Sequence, residues 1–372
     1  MQAPMLSHKQ VYALIKAVGK KRTVVVQGET GVGKTSIQME FMRDPDFKDY
    51  HVNRPVECTQ LSDGSIWMPD IDRELGVSRE LPNERFSVNA KNRKGVAGSK
   101  PVVLFFDEIF KASNPTKCMI APVIHDHVVG MYEAPEGSIV WGATNLAAEG
   151  LGDSVKMHLR TRFKLVTMRK PTQPEWANEF AIPNNLHPAI IAATALHPEW
   201  FDSFMDYEKG GKYEGRTLAS ENPCIHNPRL AQDGIVSPRT LHSASDSLHE
   251  AHLIDRETLL ADLCGTVGVT AGHIIMSVMR LVNDIPAPER VFADPDNTML
   301  SNNKSAQVLQ VFQLFNRATT RDDMAAVVRY VRRMHVEMQT IFRHSVEKSV
   351  KNTVFSTITE FQSMLQDNRL FV

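Results

Sequence analysis

The sequence predicts an α/β protein with a parallel five-stranded sheet sandwiched by helices, followed by a helical second half. Five short apolar runs alternate with stretches of helical periodicity, a pattern typical of a parallel sheet covered on both faces. The composition agrees, because 42% of the 372 residues are hydrophobic and 23% are charged, as in ordinary globular domains. Such a length predicts two or three domains.

The predicted strands lie in the first half of the chain. The most apolar run, Pro101–Phe106, is continuous, as expected for a parallel strand buried on both faces. The other four runs are at residues 22–26, 55–59, 138–142 and 163–168. Helical spacing of apolar residues predicts helices over 5–20 and from Ser36 to about Met42. Residues 43–100 are otherwise polar and broken by Pro and Gly.

Beyond Pro171 the pattern becomes mostly helical. Residues 172–290 are interrupted by a long Gly-, Asn- and Pro-rich loop at 207–235, and residues 305–365 contain few helix breakers. We therefore expect an α/β domain over 1–172, a helical lid domain over 173–290, and a helical C-terminal extension over 291–372.

Charge and cysteine content exclude several classes of protein. The net charge is −1, from 42 basic and 43 acidic side chains, so no bulk attraction to nucleic acid or an anionic membrane is expected. No apolar run reaches the length of about 18 residues that a membrane span requires.

The four cysteines lie far apart without a CxxC pair, which argues against a disulfide framework or a cysteine zinc site. Without a secretory signal at the N-terminus, we expect a cytoplasmic location.

The strongest motif is Gly28–Thr35, GETGVGKT, a full match to G-x-x-x-x-G-K-[ST] between a predicted strand and a predicted helix. Its glycines let backbone N–H groups surround a polyphosphate, and the following helix directs its positive end at the same charge. Lys34 is expected to contact the β- and γ-phosphates, and the Thr35 hydroxyl to bind Mg²⁺. The predicted nucleotide-binding residues are Gly28, Glu29, Thr30, Gly31, Val32, Gly33, Lys34, Thr35 and Ser36.

Two carboxylates follow the most apolar strand. Asp107 and Glu108 come directly after Phe106, at the sheet edge where α/β proteins bind ligands. Asp107 is expected to hold Mg²⁺ through water, and Glu108 to orient and polarise the attacking water. A glutamate directly after the aspartate favours hydrolysis over simple nucleotide switching.

Three further polar groups follow in chain order. Asn145 ends the next predicted strand, where it can hold the lytic water or contact the γ-phosphate. Arg160 and Arg162 precede the last strand and can stabilise transition-state charge in a neighbouring subunit, and the sequence leaves open which one does so. A lid helix is predicted to start at Ser237, Pro238 and Arg239, with Ser237 as its cap and Pro238 in its first position.

In this order, the motifs resemble those of the AAA+ ATPases, and among them the MoxR-type branch. The matching stretches are GETGVGKT at 28–35, VVLFFDEIFKAS at 102–113, GATN at 142–145, LRTRF at 159–163 and SPR at 237–239. The resemblance implies that Asn145 is the sensor 1 residue, that Arg160 and Arg162 are arginine-finger candidates, and that Arg239 is the sensor 2 arginine.

The same resemblance implies ATP and Mg²⁺ as cofactors and a ring, usually of six subunits, with nucleotide at the subunit interfaces. It further implies remodelling of a partner protein complex, often through a von Willebrand A-domain protein. The absence of guanine-selecting NKxD text also favours adenine.

Two other functions remain open at this stage. One is a motor acting on DNA or RNA, which the basic stretch Lys91–Lys94 favours and the near-zero net charge disfavours. The other is an ATP-gated assembly scaffold without turnover, which the intact Glu108 argues against. The role of the helical C-terminus is not predicted: it can pack on the lid, extend the ring contact or dock a partner.

Overall fold

The computed structural model describes residues 4–62, 64–146, 163–208, 210–347, 349 and 351–368. The first half of the chain contains the strands. They are β1 Val24–Gly28, β2 His51–Val52, β3 Val56–Glu57, β4 Trp67–Asp72, β5 Val77–Pro82, β6 Val102–Asp107, β7 Val128–Val129, β8 Tyr132–Glu133, β9 Ile139–Asn145 and β10 Lys164–Thr167. The helices among them are α1 His8–Val18, α2 Ser36–Arg43 and α3 Asn114–Asp126.

The main sheet is parallel and has the order β10-β1-β9-β6, with β2 and β3 both pairing with the far side of β6. The edge position is thus filled by two short strands, interrupted at residues 53–55. The predicted parallel sheet of five strands is confirmed. Every residue of β6 and β9 is buried, as the continuous apolar run predicted.

Helices cover both faces of this sheet, as predicted. On one face, Val11 and Ile15 of α1 and Phe41 of α2 pack against Phe105 and Trp141, whose rings stack with centroids 3.8 Å apart. On the other face, side chains of α3 pack against the alternate residues of β6 and β9. This alternation directs successive side chains of each central strand into opposite cores.

Two hairpins were not predicted from the sequence. Strands β4 and β5 pair antiparallel, as do β7 and β8, and the Met131 N–H of the second hairpin donates to Glu80 O of the first at 3.0 Å. The β4–β5 hairpin is largely exposed, so its strands lack the clean apolar alternation that identifies a half-buried strand.

The second half is helical, as predicted. Its helices are α4 Gln173–Trp176, α5 Pro188–Leu196, α6 Leu218–Glu221, α7 Pro238–His249, α8 Arg256–Val267, α9 Val269–Asn283, α10 Pro288–Ala293, α11 Lys304–Arg317, α12 Arg321–Arg332, α13 Val336–Glu347, α14 Asn352–Phe355 and α15 Thr359–Asn368. Helix α4 continues into a π-helical turn at Ala177–Ala181.

The buried side chains of this half form two cores. One gathers residues from Trp176 to Val278 and also Leu309 of α11, and the other gathers residues from Val291 to Met364. Helix α11 thus contributes to both cores, so the described residues after 290 pack directly on the helices before them. Among the described residues, no helix is both long and apolar enough to cross a bilayer.

Candidate functional site

The segment Gly28–Thr35 joins the end of β1 to the start of α2. Gly31 and Gly33 have φ angles of +75° and +96°, a backbone region that residues with a Cβ rarely adopt. The two glycines therefore allow a compact loop directly at the N-terminal end of α2. Such a loop presents backbone amides to an anion, and the helix end adds a partial positive charge.

Lys34 is buried at the centre of the site, with 7% of its surface exposed. Its Nζ donates to Gly28 O and Glu29 O at 2.8 Å each, and to the Asn145 side-chain oxygen at 2.9 Å. β1 and β9 are adjacent in the sheet, and Gly28 pairs with Asn145. This register brings the predicted phosphate-binding lysine and the predicted sensor asparagine together.

Thr35 and Asp107 meet in the same place, and the Thr35 hydroxyl donates to Asp107 Oδ2 at 2.8 Å. A hydroxyl and a carboxylate are hard oxygen ligands of the type that Mg²⁺ prefers. The donor set therefore fits a magnesium ion beside a phosphate held by the loop. Asp107 is also fixed by a backbone contact, because its Oδ1 accepts from the Glu108 N–H at 2.9 Å.

Glu108 has a left-handed backbone, with φ +50° and ψ +39°, which is uncommon for a residue with a side chain and often marks a functional site. Its Oε1 lies 2.6 Å from the Nζ of Lys111, one short helical turn onward. Glu108 is only partly buried, so water can reach it. The role of Lys111 as its partner was not predicted from the sequence.

A third carboxylate, Glu57, lies beside these two and was missed by the sequence analysis. It pairs in register with Asp107 across β3 and β6. Burial raises the pKa of Glu57 above its usual range, and the charges of Asp107 and Glu108 raise it further. Glu57 precedes a short 3₁₀ turn in a polar stretch, so only the strand pairing reveals its position.

The start of α7, in the region predicted to form a lid, lies close to the loop. Ser237 caps this helix, accepting from the Thr240 N–H while its own N–H donates to the Thr240 hydroxyl, as the Ser-Pro-Arg text predicted for a helix start. An ideal Cβ built on Gly31 would lie 2.7 Å from Ser237 Oγ and 3.7 Å from Arg239 Cβ. The Arg239 side chain is exposed, and its charge lowers the pKa of Glu57 against the effects of burial. Arg239 is thus near both the loop and the carboxylates.

The segment before α1 also reaches the site and was not predicted to do so. The Leu6 N–H donates to Thr167 O at 2.8 Å, so this segment pairs alongside β10. This pairing places His8, the first residue of α1, with its Nε2 2.9 Å from Ser36 Oγ, next to the Gly28–Thr35 loop. The predicted finger residues Arg160 and Arg162 lie outside the described residues.

No protein-family model matches this chain, and no curated protein sequence resembles it. Among solved structures, it is similar to a point mutant of RuvB from Thermotoga maritima, with 15% identity, a TM-score of 0.34, and coverage of 78% of this chain and 74% of that one. It is also similar to a protein of Cytophaga hutchinsonii described as an ATPase, with 10% identity, a TM-score of 0.32, and coverage of 97% and 90%. Similarities this low do not establish function, which we infer from the chain's own residues.

Proposed function

We propose that this chain is a Mg-ATP-hydrolysing ring motor of the AAA+ class and MoxR type that remodels a partner protein complex. One observation carries the proposal: the carboxyl ends of β1, β6 and β9 bring Lys34, Thr35, Asp107, Glu108 and Asn145 together. These are the residue types that phosphoryl transfer to water requires. Motif spacing alone does not guarantee this convergence, because the residues come from three separate strands.

Each group then has a distinct role. The loop amides and Lys34 hold the β- and γ-phosphates, and Lys34 exchanges its contacts with Gly28 O and Glu29 O for phosphate oxygens. Thr35, and Asp107 through water, would hold Mg²⁺, which would supply neutralisation of phosphate charge. Glu108 accepts a proton from the attacking water, and Asn145 orients that water or the γ-phosphate. Arg239, reaching from the lid, offers a positive charge to the same phosphate.

The ring assembly and the arginine fingers belong to the same proposal. Arg160 and Arg162 are proposed to act on nucleotide bound by a neighbouring subunit of a hexamer, where a guanidinium stabilises transition-state charge. The three-domain division at 172 and 290 is also proposed, and the cores of the two helical parts support it. Among the residues after 290 whose burial the structure describes, Leu309 alone joins the core of the preceding helical part.

Exposed apolar side chains favour a protein partner. Met68, Ile71 and Leu75 of the first hairpin, and Met131 of the second, are between 48% and 69% exposed. We propose these side chains as contacts for a protein partner. By the resemblance stated above, a von Willebrand A-domain protein is one such partner.

The nucleic-acid alternative finds less support in the basic stretch 91–94. The Arg93 guanidinium lies 5.5 Å from the ring centre of Tyr132, and Lys94 Nζ is 2.8 Å from Glu133 Oε2. Both side chains therefore contact the β7–β8 hairpin. A hydrolysis rate that rises with added DNA or RNA, and falls steeply with salt, would instead favour a nucleic-acid motor.

Replacing Glu108 with Gln tests the proposed hydrolysis. We expect the variant to bind Mg-ATP and assemble like wild type, with turnover reduced by about 10²- to 10⁴-fold because the general base is lost. Phosphate release and nucleotide affinity are measured side by side.

A Glu74→Gln variant is the control, because it removes a carboxylate near the exposed hairpin turn. Unchanged hydrolysis in Glu108→Gln would refute the mechanism, and an inactive wild type that assembles with ATP would favour the scaffold alternative.

A further inference from the structure

Glu29, the second residue of the phosphate loop, has a side chain that no motif explains. It is 4% exposed, and both of its carboxylate oxygens face polar groups from outside the loop. Its Oε1 accepts from the Ser203 hydroxyl, and its Oε2 lies 3.2 Å from Lys170 Nζ. A buried carboxylate of this kind is costly to desolvate, and the nearby Ser203 hydroxyl and Lys170 ammonium offset part of that cost, although Oε2 makes no hydrogen bond within the described residues.

The two partners come from different parts of the fold. Lys170 follows β10 and is 8% exposed, and Ser203 belongs to the helical lid. The Lys170 Nζ also donates to Asp202 O at 2.8 Å, next to Ser203. The Ser203 hydroxyl accepts from the Met205 N–H at 3.0 Å, so its single proton is available for Glu29. The loop, the sheet and the lid therefore meet at one buried carboxylate.

Glu29 also contacts the phosphate-binding lysine through its backbone. Its carbonyl oxygen accepts from Lys34 Nζ at 2.8 Å, while its side chain contacts the lid. A phosphate that attracts Lys34 competes with this carbonyl contact and favours a different position of residue 29. The Glu29 carboxylate is buried against Lys170 and Ser203. A shift of residue 29 must therefore either break these two contacts or move the lid segment that carries Ser203.

We propose that Lys170 and Ser203 are positioning residues that join Glu29 to the lid, so that phosphate binding at Lys34 changes the packing of the lid. This proposal rests on the nucleotide binding proposed above. In this proposal, nucleotide acts on the linked groups through Lys34, and the lid acts on them through Ser203, so binding at one end changes the free energy of the other. The lid would thereby respond to nucleotide even before Arg239 contacts a phosphate.

Hydrogen exchange of the full-length protein tests the link, with Mg-ATPγS as the probe and residues 188–207 of the lid as the reporter. In wild type, we expect the probe to slow exchange in this segment. In Lys170→Met, we expect the probe to bind but its effect on the segment to fall by about fivefold or more, the size of a typical coupling. Lys212→Met is the matched control, because its exposed ammonium lies 4.0 Å from Asp202 Oδ1, and it should respond like wild type.

A wild-type response in Lys170→Met would overturn the proposal. If that variant does not fold, two milder variants replace it. The double variant Glu29→Gln/Lys170→Met leaves no unpaired buried charge, and Ser203→Ala removes a single hydroxyl. Both should lose the response, and a wild-type response in either would also overturn the link. If wild type binds no Mg-ATPγS, the proposed function fails. The link is then tested in the nucleotide-free protein, where Ser203→Ala should exchange faster than wild type over 188–207, and equal rates would refute it.

Discussion

At the scale of single residues, the site depends on positions where only one residue type fits. Gly31 combines a positive φ angle with a close approach to Ser237, the cap of α7. Lys34 is buried, and the two carbonyls and the amide oxygen around its Nζ offset the cost of removing this polar group from water. Both features suit the phosphate binding proposed for this loop.

Replacing Gly31 with Ala should therefore affect both the loop and the lid. A Cβ at this φ angle costs about 1–2 kcal/mol of folding free energy, and displacement of the Ser237 cap adds about 1 kcal/mol. Gly95→Ala is the matched control, since Gly95 has φ +80° but nothing within 4 Å of its ideal Cβ. Urea unfolding should show the larger loss for Gly31→Ala, together with weaker nucleotide binding. Equal losses in the two variants would contradict the close contact between loop and lid.

At the scale of elements, several helix ends depend on polar side chains that come from elsewhere in the sequence. The Nζ of Lys351 donates to the carbonyls of Phe315, Asn316 and Ala318 at 2.7, 3.1 and 2.8 Å, at the C-terminal end of α11. A cation there satisfies carbonyls without a helical partner and complements the helix dipole. Burial lowers the pKa of Lys351, which is consistent with a desolvated ammonium.

Lys351→Met should destabilise the C-terminal part of the chain. Loss of a charged donor to helix-end carbonyls is expected to cost about 1.5–3 kcal/mol. Lys304→Met, at the other end of α11, removes an exposed ion pair with Glu337 and should cost at most about 1 kcal/mol. Denaturant unfolding of both variants measures the difference. Similar small losses would show that the carbonyls are satisfied equally well by water.

The partly buried His187, which caps the start of α5, predicts that the stability of the protein depends on pH. His187 Nδ1 accepts from the Ala189 N–H at 3.2 Å, and its ring is 5.2 Å from that of His249. Burial, and then the charge of His249, lower the pKa of His187 from 6.5 to about 4. Between these values the unfolded state binds more protons, so stability is present above pH 6.5 and falls as the pH drops toward 4.

A full shift would correspond to about 1.4 kcal/mol per pKa unit, but the ring is only half-buried, so we expect a loss of about 1–2 kcal/mol. His187→Asn retains a cap acceptor that does not titrate. Thermal unfolding measured at pH 7 and pH 4.5 should therefore show a smaller decrease in this variant than in wild type. A decrease of the same size would assign the pH dependence to other groups.

At the scale of the whole molecule, hydrolysis is proposed to need a second copy of the chain. Arg160→Ala or Arg162→Ala should lower turnover while nucleotide binding persists, and mixing with Lys34→Ala subunits should partly restore it. At some mixed interfaces the arginine variant supplies an intact loop and the Lys34→Ala subunit supplies an intact arginine. An arginine in this position raises the rate of such enzymes by about 10³- to 10⁵-fold. Phosphate release from mixtures of varied ratio measures the rescue, and its absence would argue against action in trans.

The sequence by itself predicted the parallel sheet, the helical second half, the phosphate loop and the acidic strand end. These features are encoded locally, by periodicity over a few residues or by one contiguous motif. It did not predict the two hairpins, because the exposed strands of the first and the two-residue strands of the second lack a clean apolar alternation. It also left open the packing of α11, which contributes Leu309 to the core formed by residues from Trp176 to Val278.

Only the tertiary structure decided which distant groups meet. Lys34 reaches Asn145 across 111 positions, and Glu29 reaches Ser203 across 174. Glu57 lies beside Asp107 because of the strand register, and His8 lies beside Ser36 because the first segment pairs alongside β10. Such contacts depend on how whole elements pack and align, a property of the assembled core that no short stretch of sequence contains.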